Sequence, residues 1–139
     1  MLLGLWWMLR TRWDPARRLV SLVTEQLGPL LAGRPTIQLA LLALLAGVAE
    51  EILFRGVIQV GMARAFSPAP ALLLTSVIFG LAHFASPAYA ILAGVVGIYL
   101  GALFLLQGNL LVPIVAHALY DFMALMALDS RYGRYQRDQ

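Results

Sequence analysis

Residues 36–65 read TIQLALLALLAGVAEEILFRGVIQVGMARA. The run is apolar over most of its length, but two carboxylates and a guanidinium, Glu50, Glu51 and Arg55, lie near its middle. A helix needs about 20 apolar residues to cross a bilayer, at a rise of about 1.5 Å per residue. This stretch is therefore long enough to cross a membrane with tilt, and its charges lie where charge is most costly.

The composition of the chain also favours a membrane protein. Of its 139 residues, 61% are hydrophobic and 12% are charged, whereas soluble domains are roughly half apolar and about a quarter charged. A small soluble domain could not bury that much apolar surface. The chain has no cysteine, which excludes disulfides, thiolate catalysis and cysteine-based metal sites.

Four apolar stretches predict four membrane spans, at about residues 36–65, 68–84, 88–106 and 109–128. Short turn-type dipeptides separate them, so neighbouring helices should be antiparallel. We therefore predict an all-α fold, a polytopic membrane helix bundle with four core transmembrane helices. The predicted segments are an interfacial part at 1–33, an intramembrane core at 34–128 and a cytoplasmic tail at 129–139.

The N-terminal segment has a different pattern. Between residues 15 and 31, leucines and valines alternate with charged and amide side chains, which is typical of an amphipathic helix lying at the membrane interface. The dipeptide Gly28-Pro29 is expected to break this helix. Trp6, Trp7 and Trp13 would anchor the segment at the level of the lipid headgroups.

The arginines predict the orientation. All ten cationic side chains are arginines, and with four crossings most of them lie on the side that holds both termini. The positive-inside rule then predicts a multi-pass protein of the cytoplasmic membrane with both termini in the cytoplasm. The arginines flank apolar spans and form no groove-reading motif, so no nucleic-acid partner is expected.

Six ionisable residues fall within the predicted spans: Glu50, Glu51, Arg55, His83, His117 and Asp121. Insertion scales assign an Asp or Arg at a helix centre a penalty of about 2.5–3.5 kcal/mol, so these groups should pair with one another. Glu51 precedes Arg55 by four residues, the favourable order for an ion pair on one helix face. Glu50 lies about 100° around that helix from Glu51, so Arg55 cannot form an equally close ion pair with it.

Three short patterns contain these residues: Glu50-Glu51-x-x-x-Arg55, Phe79-x-x-x-His83 and His117-x-x-x-Asp121. In this order, on successive apolar stretches, they resemble the CAAX protease and bacteriocin-processing family of intramembrane endopeptidases. The match extends from residue 50 to residue 121 and includes both histidines of the chain. Family members commonly have more spans, so this chain is similar to a short version that holds the catalytic core.

The resemblance implies roles for these positions. Glu50 and His83 match the pair that activates a water for attack on the scissile amide. Glu51, Arg55 and Phe79 match supporting positions. His117 and Asp121 match a pair that either holds the oxyanion or binds a metal.

Asp121 is a departure from the prenyl-protein members of the family, which have Asn at this position. An ionised Asp accepts hydrogen bonds and would repel an oxyanion, whereas Asn can donate to one. Two imidazoles and two carboxylates could also ligate Zn²⁺. Two versions therefore stay open: a metal-free glutamate protease, and a zinc site with Glu50, His83, His117 and Asp121 as possible ligands.

The predicted function is hydrolysis of a peptide bond in a hydrophobic or membrane-associated peptide, within the lipid bilayer. One alternative is a small carrier for a polar substrate or for protons, in which the same residues form a relay. The other is a non-enzymatic membrane scaffold or bacteriocin-immunity protein, in which the buried polar set serves assembly only.

Overall fold

Six helices account for nearly all of residues 1–137, the part of the chain that the computed structural model describes, and this part contains no strand. The helices are α1 (Leu2–Arg10), α2 (Asp14–Leu31), α3 (Thr36–Ala65), α4 (Pro68–Ala82), α5 (Pro87–Gln107) and α6 (Leu111–Arg137). The predicted all-α fold is confirmed.

Turn residues define the helix ends where the sequence placed them. Pro68 and Pro87 occupy the first turns of α4 and α5, where a missing backbone N–H costs nothing. The Ser86 hydroxyl accepts a hydrogen bond of 3.2 Å from the backbone N–H of Tyr89 and so caps α5. Gly108 ends α5 with a φ of +60°, a left-handed conformation that glycine adopts without strain.

The helix α3 changes its winding where the carboxylates lie. Thr36–Glu51 and Val60–Ala65 are α-helical, but Ile52–Gln59 between them is a π-helix. Such wider turns are rare and are frequently found at functional sites. The π segment begins directly after Glu51, so the winding of α3 changes within the predicted site.

Three helices, α3, α5 and α6, are long and apolar enough to cross a membrane. The helix α4 is apolar but has 15 residues, about 22 Å of length against a hydrocarbon core of about 30 Å. The count of four spans therefore stays a prediction. The helix α6 continues past the predicted end of its span to Arg137, and residues 138 and 139 of the predicted tail lie outside the described residues.

The chain forms two compact units, one of Met1–Ala43 with Leu119–Gln139 and one of Leu44–Ala118. In the first unit, Leu31, Leu39 and Leu128 form a buried core. The prediction that Gly28-Pro29 breaks α2 is wrong, because the helix continues to Leu31. Pro29 lies in the last turn and so removes only one backbone hydrogen bond, while Leu31 gains its place in the core.

In the second unit, α4 and α5 approach each other through small residues. A Cβ atom at Gly80 would lie 2.5 Å from the carbonyl oxygen of Ala90 and 3.2 Å from Cα of Gly94. Small residues allow membrane helices to pack backbone against backbone. Beside this contact, Phe54, Phe79 and Ala93 are buried as one cluster, so the close approach positions the helix that carries Phe79.

Replacing Gly80 by Ala should destabilise the protein by about 1–3 kcal/mol, because the added methyl meets a backbone carbonyl that cannot move alone. Gly61→Ala is the matched control, since nothing lies within 4 Å of a Cβ at that helical glycine. The control should be neutral or slightly stabilising. Unfolding in detergent micelles, followed by circular dichroism, measures both; equal stability of the two variants would contradict the packing described.

Candidate active site

Glu51 is the centre of a buried polar cluster in the second unit. Its side chain is fully buried, and its Oε1 accepts hydrogen bonds from Nη1 of Arg55 at 2.6 Å and from Nδ1 of His117 at 2.7 Å. An ionised carboxylate can only accept, so Nδ1 of His117 carries the proton. The predicted pair of Glu51 and Arg55 is confirmed, whereas the bond from Glu51 to His117 was not predicted.

The Arg55 guanidinium is buried and has contacts on three sides. Besides its bond to Glu51, Nη2 donates to the backbone carbonyl of Gly97 on α5 at 2.9 Å. Its central carbon lies 4.8 Å from the ring centroid of Phe79, a cation–π distance. A buried ion pair is tolerated when such additional bonds compensate for lost solvation, and here they also attach α3 to α5 and α4.

Gln59, one turn after Arg55 on α3, also binds α5. Its buried side chain donates from Nε2 to the carbonyl of Gly101 at 3.2 Å. A Cβ at Gly101 would overlap Cδ1 of Leu72 and lie 2.7 Å from Oε1 of Gln59, so any larger residue there would require these side chains to shift. The sequence analysis missed Gln59, although an amide four residues after Arg55 in an apolar run was a usable signal. Arg55 and Gln59 thus bind two α5 carbonyls one turn apart.

Phe79 is almost fully buried, and its ring contacts three other rings of the cluster. Its ring centroid lies 4.8 Å from that of Phe54, 4.3 Å from the His83 ring and 5.9 Å from the His117 ring. The ring therefore packs against both imidazoles. The supporting role of Phe79 stays a prediction.

His83 lies at the C-terminal end of α4. Its Nδ1 is 2.8 Å from the backbone carbonyl oxygen of Phe79, and since a carbonyl only accepts, Nδ1 must donate. The carbonyl oxygen of Phe79 therefore accepts from both the backbone N–H of His83, at 3.3 Å, and its ring. The opposite ring nitrogen, Nε2, is directed toward α3.

Both imidazoles face the carboxylate of Glu50. Its Oε2 lies 3.4 Å from Nε2 of His83 and 3.8 Å from Nε2 of His117. The side chains of Glu50 and His83 are 29% and 28% exposed, whereas that of His117 is 4% exposed. The structure therefore separates the two adjacent acids, with Glu51 enclosed and Glu50 accessible.

This arrangement can move protons. Each imidazole uses Nδ1 to bind a fixed acceptor, so each can take up or release a proton only at Nε2. Both Nε2 atoms face one carboxylate oxygen. A water placed about 3 Å from both Glu50 and His83 would have a base beside it, the geometry that general-base catalysis requires.

Asp121 follows His117 by four residues on α6 and belongs to the other compact unit, so its role stays a prediction. Within residues 1–137, no group of three or more His, Cys, Asp or Glu side chains is arranged to hold a metal ion. Metal dependence is thus not shown, and the zinc ligands suggested by the sequence also stay a prediction.

The helices and the buried polar cluster together define a membrane protein with a carboxylate–imidazole site. Residues 32–123 match the family model described as type II CAAX prenyl endopeptidase Rce1-like. The match covers about two thirds of the chain and every residue of the cluster, so the chain belongs to this family. Membership implies a protease. No curated protein and no solved structure matches the chain.

Replacing Arg55 by Met keeps much of the side-chain length but leaves the buried Glu51 carboxylate without its cation. Such a change should cost about 3–5 kcal/mol of folding stability. The control is Arg64→Met, because Arg64 is an exposed cation on the same helix. Denaturant unfolding in micelles measures the stability of both variants. Similar losses of stability in the two would contradict a stabilising role of the buried ion pair.

Proposed function

We propose that this protein is an intramembrane endopeptidase that cleaves a hydrophobic or membrane-associated peptide with a water activated by Glu50 and His83. The observation that carries the proposal is the 3.4 Å distance between Oε2 of Glu50 and Nε2 of His83, with the other ring nitrogen of His83 bound to a backbone carbonyl. Family membership supplies the reaction class, and this geometry supplies the residues.

In the first step, Glu50 takes a proton from the water, with Nε2 of His83 holding the water in place, and the hydroxide oxygen bonds to the carbonyl carbon of the peptide. The tetrahedral intermediate then breaks its carbon–nitrogen bond. The proton held by Glu50 passes to the departing amine, so the carboxylate returns to its initial state. A positioned base of this kind contributes about 10²–10⁴-fold to the rate.

His117 is assigned to the oxyanion. Glu51 accepts the Nδ1 proton of His117 and stabilises a positive charge on that ring, so its Nε2–H can donate to the developing negative oxygen. The second acid thus acts through His117 and not on the water. Asp121 is assigned a supporting role, because a carboxylate beside an oxyanion would repel it.

The proposed location is the cell membrane, as a multi-pass protein with both termini in the cytoplasm. Three apolar helices of spanning length and the membrane-protease family support a membrane protein. The arginine distribution supports the orientation, provided that α4 also crosses. The lipid bilayer and a hydrophobic peptide are then the expected partners.

Glu50→Gln and His83→Ala should each fold normally and lower peptide cleavage by at least about 10²-fold, since each removes a group that acts on the water. Glu25→Gln is the control, an exposed acid on α2. The assay uses the protein in liposomes with two fluorogenic peptides of equal sequence, in which a cysteine followed by further residues is prenylated in one and free in the other.

The same liposomes test the alternatives. Cleavage that persists in both Glu50→Gln and His83→Ala would refute the proposed mechanism. Proton or solute flux that depends on Glu50, without cleavage of either peptide, would favour a carrier. Partner binding that is unaffected by Glu50→Gln, again without cleavage, would favour a scaffold.

The metal-free version is proposed for the steps above, and Asp121→Asn tests it together with a chelator. If Asp121 supports His117, the amide should keep activity within about tenfold, because Asn can also accept a hydrogen bond. Activity should also survive dialysis against 1,10-phenanthroline. Loss of activity with the chelator that added Zn²⁺ restores would overturn the metal-free version. Loss of activity in Asp121→Asn, with the wild type insensitive to the chelator, would overturn the supporting role of Asp121.

A further inference from the structure

A cavity of about 390 Å³ lies in the unit formed by Met1–Ala43 and the chain from Leu119 onward, away from the acid–imidazole cluster. Six leucines of α2, α3 and α6 form its walls, and its polar lining residues are Arg34 and Gln38. No acidic side chain among residues 1–137 lines it. We name it the leucine cavity.

The backbone places Arg34 at the edge of the leucine cavity. Gly33 adopts a φ of +71°, and the backbone N–H of Arg34 donates to the carbonyl of Leu31 at 3.0 Å, so a tight turn follows α2. The side chain folds back over the same turn, where its Nε donates to the carbonyl of Leu30 at 3.3 Å. The guanidinium is thus held at the cavity while its side chain stays exposed.

The position along the chain indicates the environment of this cation. Arg34 precedes the first residue of α3, Thr36, by two positions, and α3 is a helix of spanning length. The start of such a helix lies near the lipid phosphates. The leucines on α3 that line the cavity, Leu39 and Leu42, lie one and two turns further along the apolar helix.

We propose that the leucine cavity binds an anionic phospholipid, with the phosphate at Arg34 and Gln38 and an acyl chain against the leucines. A guanidinium binds phosphate oxygens in a two-point geometry, and the amide of Gln38 adds a donor. Basic pockets between helices at the membrane surface bind anionic headgroups. The cavity has one cation, Arg34, at its edge, leucine walls, and no acidic side chain among residues 1–137. This combination suits a lipid with one negatively charged headgroup and an apolar tail.

The test is a lipid titration of the full chain in a non-ionic detergent, followed by native mass spectrometry, with dioleoylphosphatidylglycerol and dioleoylphosphatidylcholine as probes. The wild type should bind the anionic lipid more tightly. Arg34→Gln should weaken its binding by about fivefold, since a basic residue near anionic lipid is worth about 1 kcal/mol. Arg34→Lys should retain most of it.

The matched control is Arg64→Gln, at the other end of α3, which should bind the anionic lipid like the wild type. Equal binding of the two lipids by the wild type, or equal losses in Arg34→Gln and Arg64→Gln, would overturn the proposal. So would displacement of the lipid by equimolar sn-glycerol 3-phosphate, because the apolar cavity would then contribute nothing. Circular dichroism confirms folding of each variant, which is expected because both arginines are exposed.

Discussion

The buried carboxylate of Glu51 is the constraint on which the second unit depends. A charge removed from water must be paired and hydrogen-bonded, or it destabilises the fold by several kcal/mol. Glu51 is paired through Oε1 with Arg55 and His117, while its buried Oε2 has no hydrogen-bond partner in the described part of the chain. Because Arg55 in turn binds the Gly97 carbonyl and covers the Phe79 ring, pairing one acid positions α3 against α5, α4 and the first turns of α6.

Two neighbouring acids acquire opposite environments from helix geometry. Adjacent residues of a helix point about 100° apart, so Glu51 faces the interior and Glu50 faces His83 at a partly exposed position. The enclosed acid has a fixed charge and fixed partners, which suits it to orient other groups. Glu50 is partly exposed, although its Oε2, which faces the imidazoles, is buried. The π segment that follows keeps Arg55 and Gln59 directed at α5 carbonyls.

The sequence predicted the all-α fold, the turn positions and the pair of Glu51 and Arg55, because apolar run length and i, i+4 spacing are local properties. It could not predict that Glu51 would bind His117, which is 66 residues away, since helix packing decides that contact. It also missed Gln59, whose partner is a backbone carbonyl with no side-chain signature. The error at Pro29 has the same origin, because a core contact of Leu31 outweighs a local breaker signal.

The two imidazoles have their tautomers set in different ways, and this difference fits different tasks. A backbone carbonyl at the end of α4 holds Nδ1 of His83, and it cannot change its charge. The buried carboxylate of Glu51 holds Nδ1 of His117, and it places a negative charge beside that ring. In both rings the Nδ1 contact leaves Nε2 facing the carboxylate of Glu50. In the proposed mechanism, His83 on α4 therefore holds the water beside Glu50, the base on α3, and His117 on α6 binds the oxyanion.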